Sequence, residues 1–405
     1  ISVTGSLVVL ILATRFPRAV AALWLLAMSG CRQEAVVSPA TFDASPGPTH
    51  VVIISIDTQR ADWFGCYGHP WVATPNIDRF AEDSILFESA LTPIPETLPA
   101  HVSLLTGHYP HTHGVPRNGH CVNSENVMLA ERLKNAGYAT AGFVSSFTLS
   151  DFMNFGQGFD EFGEDFDEPD GPDEGMDDIL TRPGWFTGDR AAEYLSQVDA
   201  SQPQFLFVHY WDPHLPYIAP PEYEEPYRGY PFDPDSVTDH RRFPNGEDYI
   251  PPEFRGDEMR EGLRGYAAEV TYVDAHVGAL LDTLRASGIY DDALILLTAD
   301  HGETLWDHVP YFHHSMTLFD STLHVPALVK LPRSLLAGTR ISPYVSTVDW
   351  VPTLLSYLGI PSSEDFDGRD LRLKDGGQGL ETVPILSEGT QPHNATDNGA
   401  GWGKV

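Results

Sequence analysis

VVIISI, residues 51–56, decides the fold, and Asp57 follows it directly. A strand with one face in water alternates apolar and polar residues. A continuous apolar, β-branched run such as this one suits a strand buried on both faces. Similar runs recur as Ala139–Val144, as FLFVH at Phe205–His209 and as ALILLT at Ala293–Thr298. Shorter apolar runs at Ile85–Phe87 and Pro326–Leu331 read as further strands. Between them the period changes to that of helices. Asn76–Glu82 and Val127–Asn135 are helical, the second ending before Gly137. Over Met259–Ala286, Val270, Val273, Val277, Leu280, Leu281 and Leu284 follow helical spacing, and Gly288 stops the helix. Trp350–Leu358 reads as another. Strands alternating with helices predict an α/β fold with a mainly parallel central sheet flanked by helices.

Composition agrees with one large α/β domain. The chain has 405 residues, 42% of them hydrophobic, which supplies a sizeable core and excludes a disordered or fibrous protein. A net charge of −33 opposes nucleic acid as a partner. It leaves an anionic small substrate open, because a metal or local basic groups can override the global field. Three cysteines are too few for a disulfide scaffold, and whether Cys66 and Cys121 pair stays open. Residues 1–31 read as a signal segment of lipoprotein type. Arg15 and Arg18 precede the apolar run Ala19–Met28, and Ser29, Gly30 and Cys31 follow. An uncleaved anchor is the alternative; either implies an exported, membrane-tethered protein at the periplasm or cell surface. Residues 32–49 then form a linker, and 50–360 the catalytic domain. Residues 361–405 are expected to begin a small C-terminal subdomain that the chain leaves incomplete. Two segments read as surface loops: Asp160–Asp178, with eleven carboxylates in nineteen residues, and Pro220–Pro252, rich in Pro and Tyr.

Chemistry concentrates where buried strands end. Asp57 follows VVIISI, and Asp300-His301 follow ALILLTA. Ligands of open parallel sheets gather at the carboxyl ends of strands. Two carboxylates and an imidazole brought together there make a divalent-metal site. Each aspartate alone would also serve as a helix N-cap. In ETLPAHVSLLTG (Glu96–Gly107), Thr97 enters a helix N-terminus, where free N–H groups favour an anionic ester; an N-cap threonine is the plainer alternative.

Taken together, the ordered segments resemble the sulfatase family of the alkaline-phosphatase superfamily. They are ISIDTQRADWFGCYG, TPNIDRFAEDSILFESA, TLPAHVSLLTGHYPHTHGV with Asn118, FLFVHYWDPHLPY, YAAEVTYVDAHVG, LLTADHGE, FHHSMTLFDSTLHVPALVKLP and VDWVPTLLSYLGIP. The resemblance implies metal ligation by Asp57, Asp300 and His301. It aligns Thr97 with the cysteine or serine that sulfatases oxidise to formylglycine, and His101 with an arginine. It sets Asn118, His214 and His314 around the transferred group, with His308 nearby.

Three departures from the family pattern bear on mechanism. Threonine is not the usual formylglycine precursor, so no formylglycine is expected, and Thr97 Oγ would attack directly as a metal-activated nucleophile that also ligates the ion. Asp57-Thr58 replaces a pair of aspartates. Histidines occupy regions where sulfatases carry arginine and lysine. The expected cofactor is one divalent ion (Ca, Mn or Zn); a second ion held by Asp212, His214 and His314 is the alternative. The expected activity is metal-dependent hydrolysis of sulfate or phosphate-type esters, with a sulfated or phosphorylated glycan or lipid as substrate. The alternatives are a phosphodiesterase, phosphonate monoester hydrolase or phosphotransferase on the same fold, and a catalytically inactive protein that binds anionic glycans.

Overall fold

The computed structural model describes residues 49–164, 166, 181–229, 257–308, 311–390 and 402–404. The signal-type segment, most of the linker, most of both loop segments and residues 391–401 lie outside the described residues. The central strand is β1 (His50–Ile56). It pairs in parallel with β6 (Gln204–Tyr210) on one side and β7 (Ala293–Ala299) on the other. Beyond β6 lie β4 (Ala139–Val144) and β5 (Glu161–Gly163); beyond β7 lie β9 (Ala327–Lys330), β2 (Ile85–Phe87) and β10 (Arg340–Ile341). β3 (Ala90–Leu91) and β8 (His324–Val325) pair antiparallel apart from this sheet, whose eight-stranded order is β10-β2-β9-β7-β1-β6-β4-β5. Only β9 runs against the others, pairing antiparallel with both β7 and β2. The mainly parallel α/β architecture is therefore as the alternation of periods predicts.

The two faces of β1 feed two cores. Val52, Ile54 and Ile56 pack with Val270, Val273 and Val277 of helix Asp257–Ala286. Val51 and Ile53 pack with Leu98, Val102 and Leu105 of helix Thr97–Thr106 and with Trp350 of helix Trp350–Leu358. A helix layer on each face is the physical reason that β1 reads as continuous apolar sequence. Every residue of Thr97–Thr106 is buried, so that helix presents no solvent face, and Gly107 ends it in the left-handed conformation at φ +79°. Cys66 and Cys121 are both free thiols. Among the described residues, no helix is long and apolar enough to cross a membrane.

Candidate active site

Parallel register brings the acidic strand ends together. Ile56 pairs with Ala299, so the next residues, Asp57 and Asp300, leave adjacent strands side by side. Ser55 pairs with His209 on the opposite neighbour. Thr58 turns the chain sharply with φ +50°, a left-handed conformation that costs a β-branched residue on the order of 1–2 kcal/mol. Three bonds hold it. Its N–H donates to Asp300 Oδ1 at 3.2 Å, its hydroxyl donates to Pro213 O at 3.0 Å, and its carbonyl accepts from Tyr266 at 2.9 Å. Gly302 makes a close approach possible on the other side, since a Cβ there would lie 2.1 Å from Ser321 O.

The centre consists of Asp57, Asp300, His301 and Thr97. His301 Nε2 lies 3.8 Å from Asp57 Oδ1, 3.4 Å from Asp300 Oδ2 and 3.5 Å from Thr97 Oγ1. Its other nitrogen, Nδ1, faces Gly302 O at 3.0 Å and so holds the proton there, which leaves a lone pair on Nε2. Asp57 and Asp300 are buried, and both Asp57 oxygens and Asp300 Oδ2 make no hydrogen bond among the described residues. Burial pushes the Asp57 carboxyl up to about 7, and burial with the neighbouring Asp57 charge pushes Asp300 well above the usual carboxylate range. Unpartnered, buried, convergent carboxylates are costly unless a cation joins them. The donor set of carboxylate oxygens and one imidazole fits a divalent ion, and ligand-type atoms of Asp57, Asp300 and His301 lie within 4.8 Å of one another.

Around this centre the other predicted residues separate. Asn118 Oδ1 accepts from Leu98 N at 2.8 Å, and Asn118 N donates to Glu96 Oε1 at 2.8 Å. The carboxamide is thereby oriented at the start of the Thr97 helix, with its NH₂ group as the remaining donor. His314 and His214 form the open side: their rings meet edge-on at 5.0 Å, and His314 stacks on His301 at 4.5 Å. His214 also stacks on Trp211 at 3.7 Å. His308 is elsewhere, stacked on Phe319 at 3.8 Å.

Two expectations need correction. His101, aligned with a substrate-binding arginine, is fully buried behind Thr97. Its Nδ1 donates to Thr97 O at 2.7 Å and its Nε2 meets Ser55 Oγ at 2.9 Å, so both nitrogens are committed to the scaffold. Nor do Asp212, His214 and His314 gather as a second ion site. Asp212 Oδ2 accepts from Gly184 N at 2.8 Å instead. The further metal-type group among the described residues is His101, His209 and Asp300, in which His101 has no nitrogen to spare.

Sequence reading missed two contributors. His209, fully buried, accepts at Nδ1 from Ser145 N at 3.4 Å, which leaves its proton on Nε2; that nitrogen lies 3.4 Å from Asp57 Oδ2 without hydrogen-bond geometry. Glu303, also fully buried, accepts from His314 Nδ1 at 2.9 Å and from the Tyr217 hydroxyl at 2.7 Å. Burial opposes charge on His314, yet the Glu303 hydrogen bond and charge hold it above the usual histidine range; Glu303 is correspondingly held down. The Glu303 position in LLTADHGE, two residues after His301, was the available signal. For His209 the signal was a polar residue inside an otherwise apolar strand.

A family profile described as Sulfatase matches residues 49–360. An ulvan-active sulfatase from Formosa agariphila is 28% identical over 346 residues, covering 80% of this chain and 65% of that protein. An N-acetylglucosamine-6-O-sulfatase from Bacteroides thetaiotaomicron is 22% identical over 398 residues, covering 80% of this chain and 70% of that protein. The phosphonate monoester hydrolase of Agrobacterium radiobacter superposes with a TM-score of 0.70 at 23% identity, over 86% of this chain and 81% of that one. The chain thus spans just under two thirds of the ulvan-active relative. With the profile covering most of its length and the same fold in its structural neighbours, the chain belongs to the sulfatase family, within the alkaline-phosphatase superfamily.

Proposed function

We propose that the protein hydrolyses sulfate or phosphate-type esters with Thr97 as a direct nucleophile. One observation carries this reading. Thr97 Oγ1, at the first residue of a buried helix, lies 3.5 Å from His301 Nε2, which itself lies 3.8 Å and 3.4 Å from the buried carboxylates of Asp57 and Asp300. Asp57, Asp300 and His301, with Thr97 Oγ1, would hold the divalent ion. When bound, that ion supplies Lewis-acid polarisation of the ester and lowers the pKa of a neighbouring hydroxyl. The protein's own groups do the rest. Thr97 Oγ1 attacks sulfur or phosphorus in line with the leaving oxygen. The Asn118 NH₂ group donates to an equatorial oxygen. His314 and His214, on the open side, exchange the proton with the leaving group. His101 acts from behind, fixing the Thr97 carbonyl.

The substrate is an anionic ester, and the relatives named for ulvan and for N-acetylglucosamine 6-O-sulfate support a glycan carrier. Phosphorus esters are the second reading, favoured by a hydroxyl nucleophile and by the phosphonate monoester hydrolase fold neighbour. The test is a substrate panel of 4-nitrophenyl sulfate, phosphate, methyl phosphate and phenylphosphonate, with parent, Thr97→Ala and Thr97→Ser. The parent should turn over at least one. T97A should lose on the order of 10³-fold or more in kcat, with T97S retaining part. An unimpaired T97A would eliminate the nucleophile. A parent inert on all esters would favour the glycan-binding reading. Export as a lipid-anchored protein is part of the proposal, resting on Cys31 after Ala19–Met28. Cys31→Ser should abolish labelling by a fatty-acid probe in cells.

A further inference from the structure

Glu303 is a fully buried carboxylate that touches neither Asp57 nor Thr97 in the hydrogen-bond pattern, yet both its oxygens are used. Oε2 accepts from the Tyr217 hydroxyl at 2.7 Å, and Oε1 faces His314 Nδ1 at 2.9 Å. A carboxylate only accepts, so in either protonation state a His314 proton sits on Nδ1, and it is the neutral ring that carries a lone pair on Nε2, at the opposite edge. Stacking on His301 at 4.5 Å, with an interplanar angle of 29°, sets the ring plane. The bond from Ser315 N to Pro95 O, 2.9 Å, ties the His314 loop to the segment leading into Thr97. His314 is thus held over the ligand histidine that itself contacts Thr97 Oγ1. An apolar side chain would fill the Glu303 position without the desolvation cost that a buried carboxylate carries.

We propose that Glu303 is the positioning residue that makes His314 the proton carrier for both halves of a double displacement at Thr97, an inference that rests on Thr97 being the nucleophile. In the first half, Thr97 Oγ1 bonds to the sulfur or phosphorus atom and the bond from that atom to the leaving oxygen breaks. The Thr97 hydroxyl proton passes to His314 Nε2 and on to the leaving oxygen. In the second half, a water oxygen bonds to the same atom and its bond to Thr97 Oγ1 breaks. The water proton passes through Nε2 back to Oγ1. The sum is ester plus water giving acid plus alcohol, with His314 and Glu303 unchanged. The second half is where the pair matters most. A threonine ester lacks the second hydroxyl by which an aldehyde hydrate expels its anion, so its hydrolysis needs both a base for water and an acid for the departing alkoxide.

The experiment uses the 4-nitrophenyl ester that the parent turns over best. Nitrophenolate leaves without a proton, so in Glu303→Leu and His314→Gln formation of the Thr97 ester loses only the base for the Thr97 hydroxyl, while its hydrolysis loses both the base for water and the acid for the departing alkoxide and slows more. Expected results are a burst of nitrophenolate, steady turnover reduced on the order of 10²-fold, and an intact-mass adduct mapping to the Thr97 peptide. Bound metal per chain should match the parent. Glu303→Asp should recover part of the hydrolysis rate. ¹⁵N-histidine spectra should show the Nδ1–H tautomer of His314 in the parent and its loss in E303L. An adduct that hydrolyses in E303L at the parent rate, or an Nε2–H tautomer in the parent, overturns the role of Glu303 and leaves Thr97 standing. Turnover in T97A with the adduct elsewhere overturns the Thr97 reading and this inference together. If E303L does not fold, Glu303→Gln and H314Q decide it on adduct lifetime, and the parent spectrum decides the tautomer.

Discussion

Replacing Asp57 with Asn should strengthen the metal-free protein at alkaline pH and remove most of its response to metal. The Asp57 carboxyl is pushed from an ordinary value of 3.8 to about 7, chiefly by burial. Three units correspond to about 4 kcal/mol. The sign follows from proton linkage. A carboxyl raised on folding contributes its stability below the unfolded value, near pH 4, and loses it as pH rises through about 7. EDTA-treated parent should therefore be about 3 kcal/mol less stable to urea at pH 8 than at pH 5 through this group, the remainder of the loss falling between about pH 4 and pH 5. A divalent ion at pH 8 should restore at least that much, seen also as several degrees in Tm. D57N, with no charge to bury, should be flatter in pH, more stable than EDTA-treated parent at pH 8, and little changed by Ca²⁺, Mn²⁺ or Zn²⁺. Urea melts of both proteins at the two pH values, with EDTA and with each metal, measure all of this. If metal-free D57N unfolds at lower urea than metal-free parent at pH 8, or gains as much from metal, the carboxylates are not a cation site.

Three further outcomes follow from the packing. Asp212 is pushed to about 6 by burial, so its stability contribution should fade as pH rises from about 4 through about 6; Asp212→Asn keeps an acceptor for Gly184 N and should gain about 3 kcal/mol at pH 7, read by urea melts across that range. His101→Ala breaks the links to Thr97 O and Ser55 Oγ and should cost about 2–4 kcal/mol of stability, so a Tm equal to the parent's would contradict its scaffold role. Trp350 is fully buried and meets Phe87 edge-on at 5.2 Å; Trp350→Ala should cost about 3–5 kcal/mol in chemical denaturation, and under 1 would mean that core relaxes freely.

The fold was legible because burial on both faces leaves a mark in one dimension. β1, β6 and β7 are apolar at nearly every position, and no surface strand could be. The direction of β9 was not legible. A period of two is the same in either direction, and only its pairing with β7 and β2 reveals the reversal. The metal-type trio was readable by position alone, since acidic residues directly after buried strands emerge at the sheet's carboxyl edge.

What surrounds that trio was not. Ser55 and His101 are 46 residues apart, and Thr58 and Asp300 are 242 apart. Alignment put His101 against the substrate because residue type travels with sequence position. The turn of a helix, however, carried its ring behind Thr97. The amino-acid sequence by itself thus determined the layered sheet and the strand-end acidic residues, because both follow from local period and neighbouring residues. Only tertiary structure decided which histidine lines the centre and which supports the scaffold. Hydrogen-bond partners are chosen in three dimensions, by strand register and by which buried atoms are left without water.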